Sequence, residues 1–192
     1  ARGARIVKDI VKEYGDVVHD PASIIDQELR TISVSPKIDI ALGGGVPEGS
    51  LFIMTGPEKI GKTVTALAFC ANAQRDKRTV YYGNIEGRLR KRDLEGIKGL
   101  NMDTDLLKII GSTQGNILSA EKYLSIFDQL IHTEPDSVCV IDSFSALASE
   151  AELTGDLSDT QVMSVQKVLA KFCRRISNVL PINKVTVVGI TH

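Results

Sequence analysis

Gly56-Pro57-Glu58-Lys59-Ile60-Gly61-Lys62-Thr63 fits the pattern G-x-x-x-x-G-K-[ST] at every fixed position. The chemistry that needs this spacing is the capture of a phosphate chain. Successive main-chain N–H groups that curl into a helix N-terminus complement dense negative charge. Gly56 and Gly61 allow backbone conformations and a close approach that a Cβ would block. Lys62 supplies a compact positive charge for the β- and γ-phosphates, and the Thr63 hydroxyl is a ligand for Mg²⁺. The whole loop, Gly56 to Thr63 with Val64 behind it, is therefore the candidate nucleotide cradle. A chance match in a Gly-rich turn occurs in about 1% of chains this long. An apolar strand pattern at Leu51–Thr55 in front and a helical pattern at Lys62–Arg75 behind make chance rarer still.

Two carboxylates stand where such a cradle would use them. Asp142 closes the apolar run Val138–Ile141, so it is the tip of a buried strand and a candidate to hold Mg²⁺ with Thr63. An ordinary turn-starting Asp would look the same. Glu86 follows the strand Thr79–Tyr82 and could orient an attacking water. The residues alone leave a plain surface Glu open as the other reading.

The elements that must position these groups follow from periodicity. Ile6, Val7, Ile10, Val11 and Tyr14 recur at helical spacing before Gly15, with Arg2, Arg5, Lys8 and Lys12 between them. A short strand is expected at Ser23–Ile25, and a helix from Ser35-Pro36 to the triple glycine at 43–45. Strands then alternate with helices: Lys91–Ile97 helical, Leu107–Ile110 extended, Ser119–Ile131 helical, and Val138–Ile141 extended. A long helix over Thr160–Leu180 is expected to stop at Pro181, before a last strand at Val185–Ile190. Near-continuous apolar strands between helices predict an α/β fold with a mostly parallel sheet flanked by helices. The expected division is an arm over residues 1–34 and a core over 35–192.

Bulk properties exclude several classes. With 43% hydrophobic and 24% charged residues the profile is that of a soluble globular domain, and no apolar run is long enough to span a membrane. The cysteines, Cys70, Cys139 and Cys173, sit in apolar surroundings and are expected to be reduced core residues in the cytoplasm. A net charge of −1 gives no basic surface, so any nucleic acid must be held by local loops or by residues outside the chain. Without an initiator Met, and stopping after a strand-like run, the chain looks like a fragment.

Together these motifs resemble the RecA family of recombinases. Leu29–Lys62 is similar to that family's entry into its phosphate loop, and Asn84-Ile85-Glu86 to its strand bearing the catalytic glutamate. Val138–Ala151 is similar to its second nucleotide motif. The resemblance implies a RecA-like P-loop NTPase core with an N-terminal polymerisation helix, ATP and Mg²⁺ as ligands, and Lys62 and Glu86 as catalytic groups. It makes His192 a γ-phosphate sensor, and Glu58 a link to a neighbour or to DNA state. His192 and the stretch Ile141-Asp142-Ser143 to Leu147-Ala148-Ser149 are closer to phage UvsX-type recombinases, whereas the N-terminal region and Gly56-Pro57-Glu58 are closer to RecA. Glu152, Leu153, Thr154, Gly155, Asp156, Leu157, Ser158 and Asp159 take the place of the first DNA loop. With three acids and no base, that loop would need backbone N–H groups, and Leu153 or Leu157 wedging between bases, to touch DNA. The implied partners are single-stranded DNA, a homologous duplex and further copies of the chain in a filament, with no membrane. Arg90 and Asp93 stand where the family contacts adenine, and Arg88, Arg90, Lys91 and Arg92 read as a phosphate contact or as a solvated helix face. A ring-forming helicase or clock-type ATPase, and a non-catalytic recombination mediator, are the alternative functions.

Overall fold

The computed structural model describes residues 2–25, 28, 30–155 and 164–192. It divides into two compact units, residues 1–30 and 31–192.

In the first unit, α1 (Arg2–Tyr14) is the amphipathic helix, followed by Gly15 at φ +83°. Its apolar Ile6, Val7 and Tyr14 remain exposed. The strand expected at Ser23–Ile25 is instead a short helix, α2 (Pro21–Ile25). The cause is local. Asp20 Oδ1 accepts from Ala22 N at 3.0 Å, an N-cap bond, and Pro21 sits at the first helical position, where no N–H is needed.

Within the second unit, β1 (Thr31–Ile32) pairs antiparallel with β2 (Val46–Pro47), a pairing that periodicity did not reveal. Between them lies α3 (Pro36–Leu42), ended by Gly43 in the left-handed region at φ +73°. Ser35 is its N-cap residue but its side chain makes no capping bond; Asp39 reaches back instead, accepting from Val34 N and Ser33 Oγ.

The main sheet holds β3 (Leu51–Thr55), β4 (Val80–Asn84), β5 (Leu107–Ile110), β6 (Val138–Asp142) and β7 (Thr186–Thr191). Their spatial order is β3-β7-β6-β4-β5, and every pairing is parallel. α4 (Lys62–Arg75) covers one face, packing Ala66, Leu67, Phe69 and Cys70 against Val80, Tyr82, Val140 and Val188. α6 (Ala120–Thr133), α8 (Ser164–Ile176) and α9 (Val179–Asn183) cover the other, over Tyr81, Cys139, Ile141 and Val187. The alternation of residues between the two cores is the period-two signature of strands buried on both faces. Cys70 and Cys139 are buried and free, as expected, and burial pushes the Cys139 thiol up to about 12.

α5 (Lys91–Glu95) is shorter than expected, and the long helix does not run through to Leu180. Its first expected residues, 160–163, lie outside the described set. It ends at Ile176, where Ser177 turns its hydroxyl onto Arg174 O at 3.0 Å, a local bond that competes with the helix. Pro181 is not the stop; it lies inside α9, in the first turn, where its missing N–H costs nothing.

At the N-terminal ends of the strands, Arg78 (3% exposed) pairs with the equally buried Glu48 and donates to the carbonyls of Asp136 and Lys184. This clamp ties the starts of β3, β4, β6 and β7 together. Removing Arg78 leaves the buried Glu48 carboxylate with only the half-exposed Lys184 ammonium, 4.0 Å away, so Arg78→Met should cost about 3 kcal/mol in denaturant unfolding. Adding Glu48→Leu should restore much of that loss. Additive losses in the double variant would show that the two side chains do not act as a pair.

Candidate nucleotide site

Because every strand of the main sheet points the same way, its C-terminal tips share one edge. That edge carries Gly56 after β3, Glu86 after β4, Asp142 at the end of β6 and His192 after β7. A cleft of about 260 Å³ lies there, lined by Thr63, Asn84, Glu86, Asp142 and His192 among others.

The loop from Gly56 to Gly61 bends through positive φ at Gly56 (149°), Lys59 (64°) and Gly61 (95°). A Cβ on Gly56 would lie 2.6 Å from Ile60 Cδ1, so the tight turn there requires glycine. Among the described residues, no acceptor stands in hydrogen-bonding geometry against the N–H groups of Glu58, Lys59 and Gly61. Lys62 is folded over the loop, its Nζ donating to Gly56 O at 2.6 Å and Pro57 O at 2.7 Å. Pro57, Glu58, Lys59 and Ile60 are exposed, as is Val64 on α4. Unpaired amides beside an ammonium form a concavity suited to an anion.

Thr63 Oγ1 donates to Asp142 Oδ2 at 2.9 Å, which brings together two residues 79 apart in sequence. Hydroxyl and carboxylate are the hard oxygen donors that Mg²⁺ prefers, and the pair fits that ion. Among the described residues no group of three or more His, Cys, Asp or Glu could hold a metal unaided. A cation here would take its remaining ligands from phosphate and water.

Glu86 Oε1 accepts from Ser143 Oγ and from His192 Nε2, both at 2.9 Å, and Arg88 lies 3.3 Å from Oε2. Burial alone would raise this carboxyl, but the bonds from His192 and Ser143 and the Arg88 charge outweigh it and hold it below its usual value. Glu86 N and Ile85 N both point at Asp142 O, at 3.4 and 2.9 Å. The β6 tip therefore positions the Glu86 turn as well as the metal pair. His192 N is held in turn by Ser145 Oγ at 3.0 Å, from the 3-10 turn Phe144–Ala146 that follows β6.

Sequence reasoning missed Ser143 and Tyr82 as members of this cluster. Tyr82 looked like strand core, and its Oη donates to Asp142 Oδ2 at 2.6 Å. Strand alternation was the available signal, since Tyr82 and Asn84 share a face of β4 and Asn84 is in register with Asp142.

Other expected residues lie elsewhere. Glu152, Leu153 and Thr154 belong to a short helix, α7 (Glu150–Thr154), with Gly155 at its C-cap. Ser149 and Glu152 form a capping box: Glu152 Oε2 accepts from Ser149 N at 2.6 Å, so this acid is committed to the helix end. Leu153 is exposed. Asp156, Leu157, Ser158 and Asp159 lie outside the described residues. Asp93 accepts from Arg90 N at 2.8 Å, and Arg88, Lys91 and Arg92 are exposed.

His192→Ala should move the Glu86 carboxyl up toward the ordinary glutamate range, followed by carbon NMR titration. A depressed carboxyl adds stability above its unfolded pKa and loses it as pH falls through the folded value. The variant should therefore gain less stability from Glu86 ionisation than the parent. An unchanged Glu86 titration would remove His192 as its donor.

The RecA N-terminal domain family matches residues 4–192. Proteins named RecA are similar over most of the chain. That of Nocardioides sp. is 35% identical over 186 residues, covering 96% of this chain and 49% of the relative. That of Streptomyces rimosus is 32% identical over 186 residues, covering 96% and 46%. That of Mesoplasma florum is 32% identical over 190 residues, covering 97% and 54%. The chain thus spans about half the length of the curated relatives it matches. It belongs to the RecA N-terminal domain family, and its parallel α/β sheet is a RecA-like core.

Proposed function

We propose that this chain is the ATP-binding core of a DNA-dependent ATPase that assembles as a filament on single-stranded DNA and pairs it with a homologous duplex, in recombination and repair. The observation that carries the reading is the 2.9 Å contact of Thr63 with Asp142 beside a loop of unpaired amides. Likeness to proteins named RecA supports the recombinase class.

In this reading Gly56 to Thr63 wrap the triphosphate, with Val64 at the cleft wall. Lys62 exchanges the carbonyls of Gly56 and Pro57 for phosphate oxygens. Mg²⁺, when bound, neutralises charge that develops on the phosphates. Thr63 and Asp142 are the residues that would hold it. Glu86 orients the attacking water, its carboxylate held in place by Ser143 and His192. His192 reads the γ-phosphate by leaving Glu86 for it, and Glu58 reports to a neighbour.

The exposed apolar stripe of α1, Ile6, Val7 and Tyr14, supports residues 1–34 as the arm through which copies join. The segment from Glu152 to Asp159 is the first DNA contact, made through backbone and Leu153, since its acids repel phosphate. The cell compartment is the bacterial cytoplasm, and no helix among the described residues is long and apolar enough to cross a membrane. A phage origin rests on His192 and the residues after Asp142 alone.

In the complete protein, Lys62→Ala should weaken ATP binding about 100-fold and abolish nucleotide-dependent filaments. Glu86→Gln should bind ATP normally but hydrolyse it about 10²–10⁴-fold more slowly and leave long-lived filaments on single-stranded DNA. Parental hydrolysis by Glu86→Gln would end its role as water activator. Electron microscopy that showed closed rings would favour the helicase or clock-type ATPase, and a parent protein without phosphate release would favour a non-catalytic mediator.

A further inference from the structure

One buried hydroxyl at the site is unused by the mechanism above. Tyr82 is 0% exposed, in the apolar core between β4 and α4. A phenylalanine would fill the same volume without the cost of burying a hydroxyl, so the oxygen is explained by its partner. That partner is the carboxylate of Asp142, with Oη 2.6 Å from Oδ2. Thr63 Oγ1 approaches the same oxygen from the loop side, at 2.9 Å. Oδ2 is thus held by two donors from two different elements. Among the described residues no hydrogen bond reaches Asp142 Oδ1, and Asp142 lines the cleft.

We propose that Tyr82 is a positioning residue for the metal: its hydroxyl pins Asp142 Oδ2 from the buried side, so that Oδ1 is the oxygen left to receive water bound to Mg²⁺. This rests on the ATP–Mg²⁺ reading of the site. The reason a pin is needed is rotational. A carboxylate turns freely about its last bond, and two donors on one oxygen fix its plane. The Thr63 hydroxyl cannot do this alone, because it is asked to ligate the cation with a lone pair while its proton stays on Asp142. Groups that orient metal ligands in this way commonly change metal affinity 10–100-fold when removed.

The test is Tyr82→Phe in the complete protein, with nucleotide binding followed by calorimetry across a Mg²⁺ series and in chelator. Phe keeps the ring in the core, and circular dichroism checks the fold. The expected result is unchanged affinity for ADP without metal and a Mg²⁺ midpoint raised about tenfold. In an Asp142→Asn background the same substitution should add nothing further to that midpoint. A hydroxyl that only stabilises the fold would lower the melting temperature and leave the Mg²⁺ midpoint at its parental value, which overturns the proposal while the ATP reading stands. A parent protein with no metal-dependent tightening of ADP would overturn both.

Discussion

Asp142 is the joint through which the site is assembled. Its carboxylate accepts from Thr63 on the loop and Tyr82 in the core, and its carbonyl receives the turn that carries Glu86. Four bonds to one residue at the end of a fully buried strand fix the Gly56–Thr63 loop, the Thr63 hydroxyl and the Glu86 turn to a common frame. Such precision is available at a strand tip and rarely in a loop, because β6 is paired on both sides, by β4 and β7. A carboxylate that is 9% exposed would be costly if unpaired, and its two donors offset that cost. Stability and function are therefore carried by the same bonds.

Parallel topology explains why these residues meet at all. Glu86, Asp142 and His192 are spread across more than a hundred positions, yet each follows or ends a strand of one direction. β4 does not sit beside β3; β7 and β6 lie between them, so α4 must cross over both and its N-terminus is left at the opened edge. Ligands of open α/β sheets bind outside the carboxyl ends of the strands for this reason. The loop from Gly56 to Thr63 lies at that edge because β3 delivers it there.

The sequence carried this much because its signals are local. A fixed-spacing glycine loop, apolar runs and their terminal acids are visible without three-dimensional information, and the fold brings the loop and the acids to one edge of the sheet. What was illegible depends on pairing or on competing local bonds. The Thr31–Ile32 and Val46–Pro47 strands are two residues each, too short for any periodicity. The turn of Pro21–Ile25 into helix depends on one Asp20 bond, and the break after Ile176 on one serine. Tyr82 was hidden by its own surroundings. An aromatic residue in a buried strand reads as core, and only the register of β4 with β6 shows that its hydroxyl reaches a carboxylate.

The two ends of the sheet solve opposite problems with the same materials. At the N-terminal ends Arg78 and Glu48 neutralise one another, and two main-chain carbonyls take up further guanidinium protons. Such a closed pair resists change. At the C-terminal ends the partners are provisional: Lys62 rests on carbonyls of its own loop, and Glu86 on Ser143 and His192. Carbonyl oxygens are weaker partners for an ammonium than phosphate is, so on the proposed ATP-binding reading these are the bonds that would be exchanged. If His192 departs, the Glu86 carboxylate keeps its bond from Ser143 but gives up the stronger of the two bonds that hold its pKa down. On the proposed reading, binding at this edge would be an exchange of hydrogen bonds within a frame that the Arg78–Glu48 pair and its carbonyl partners hold at the other.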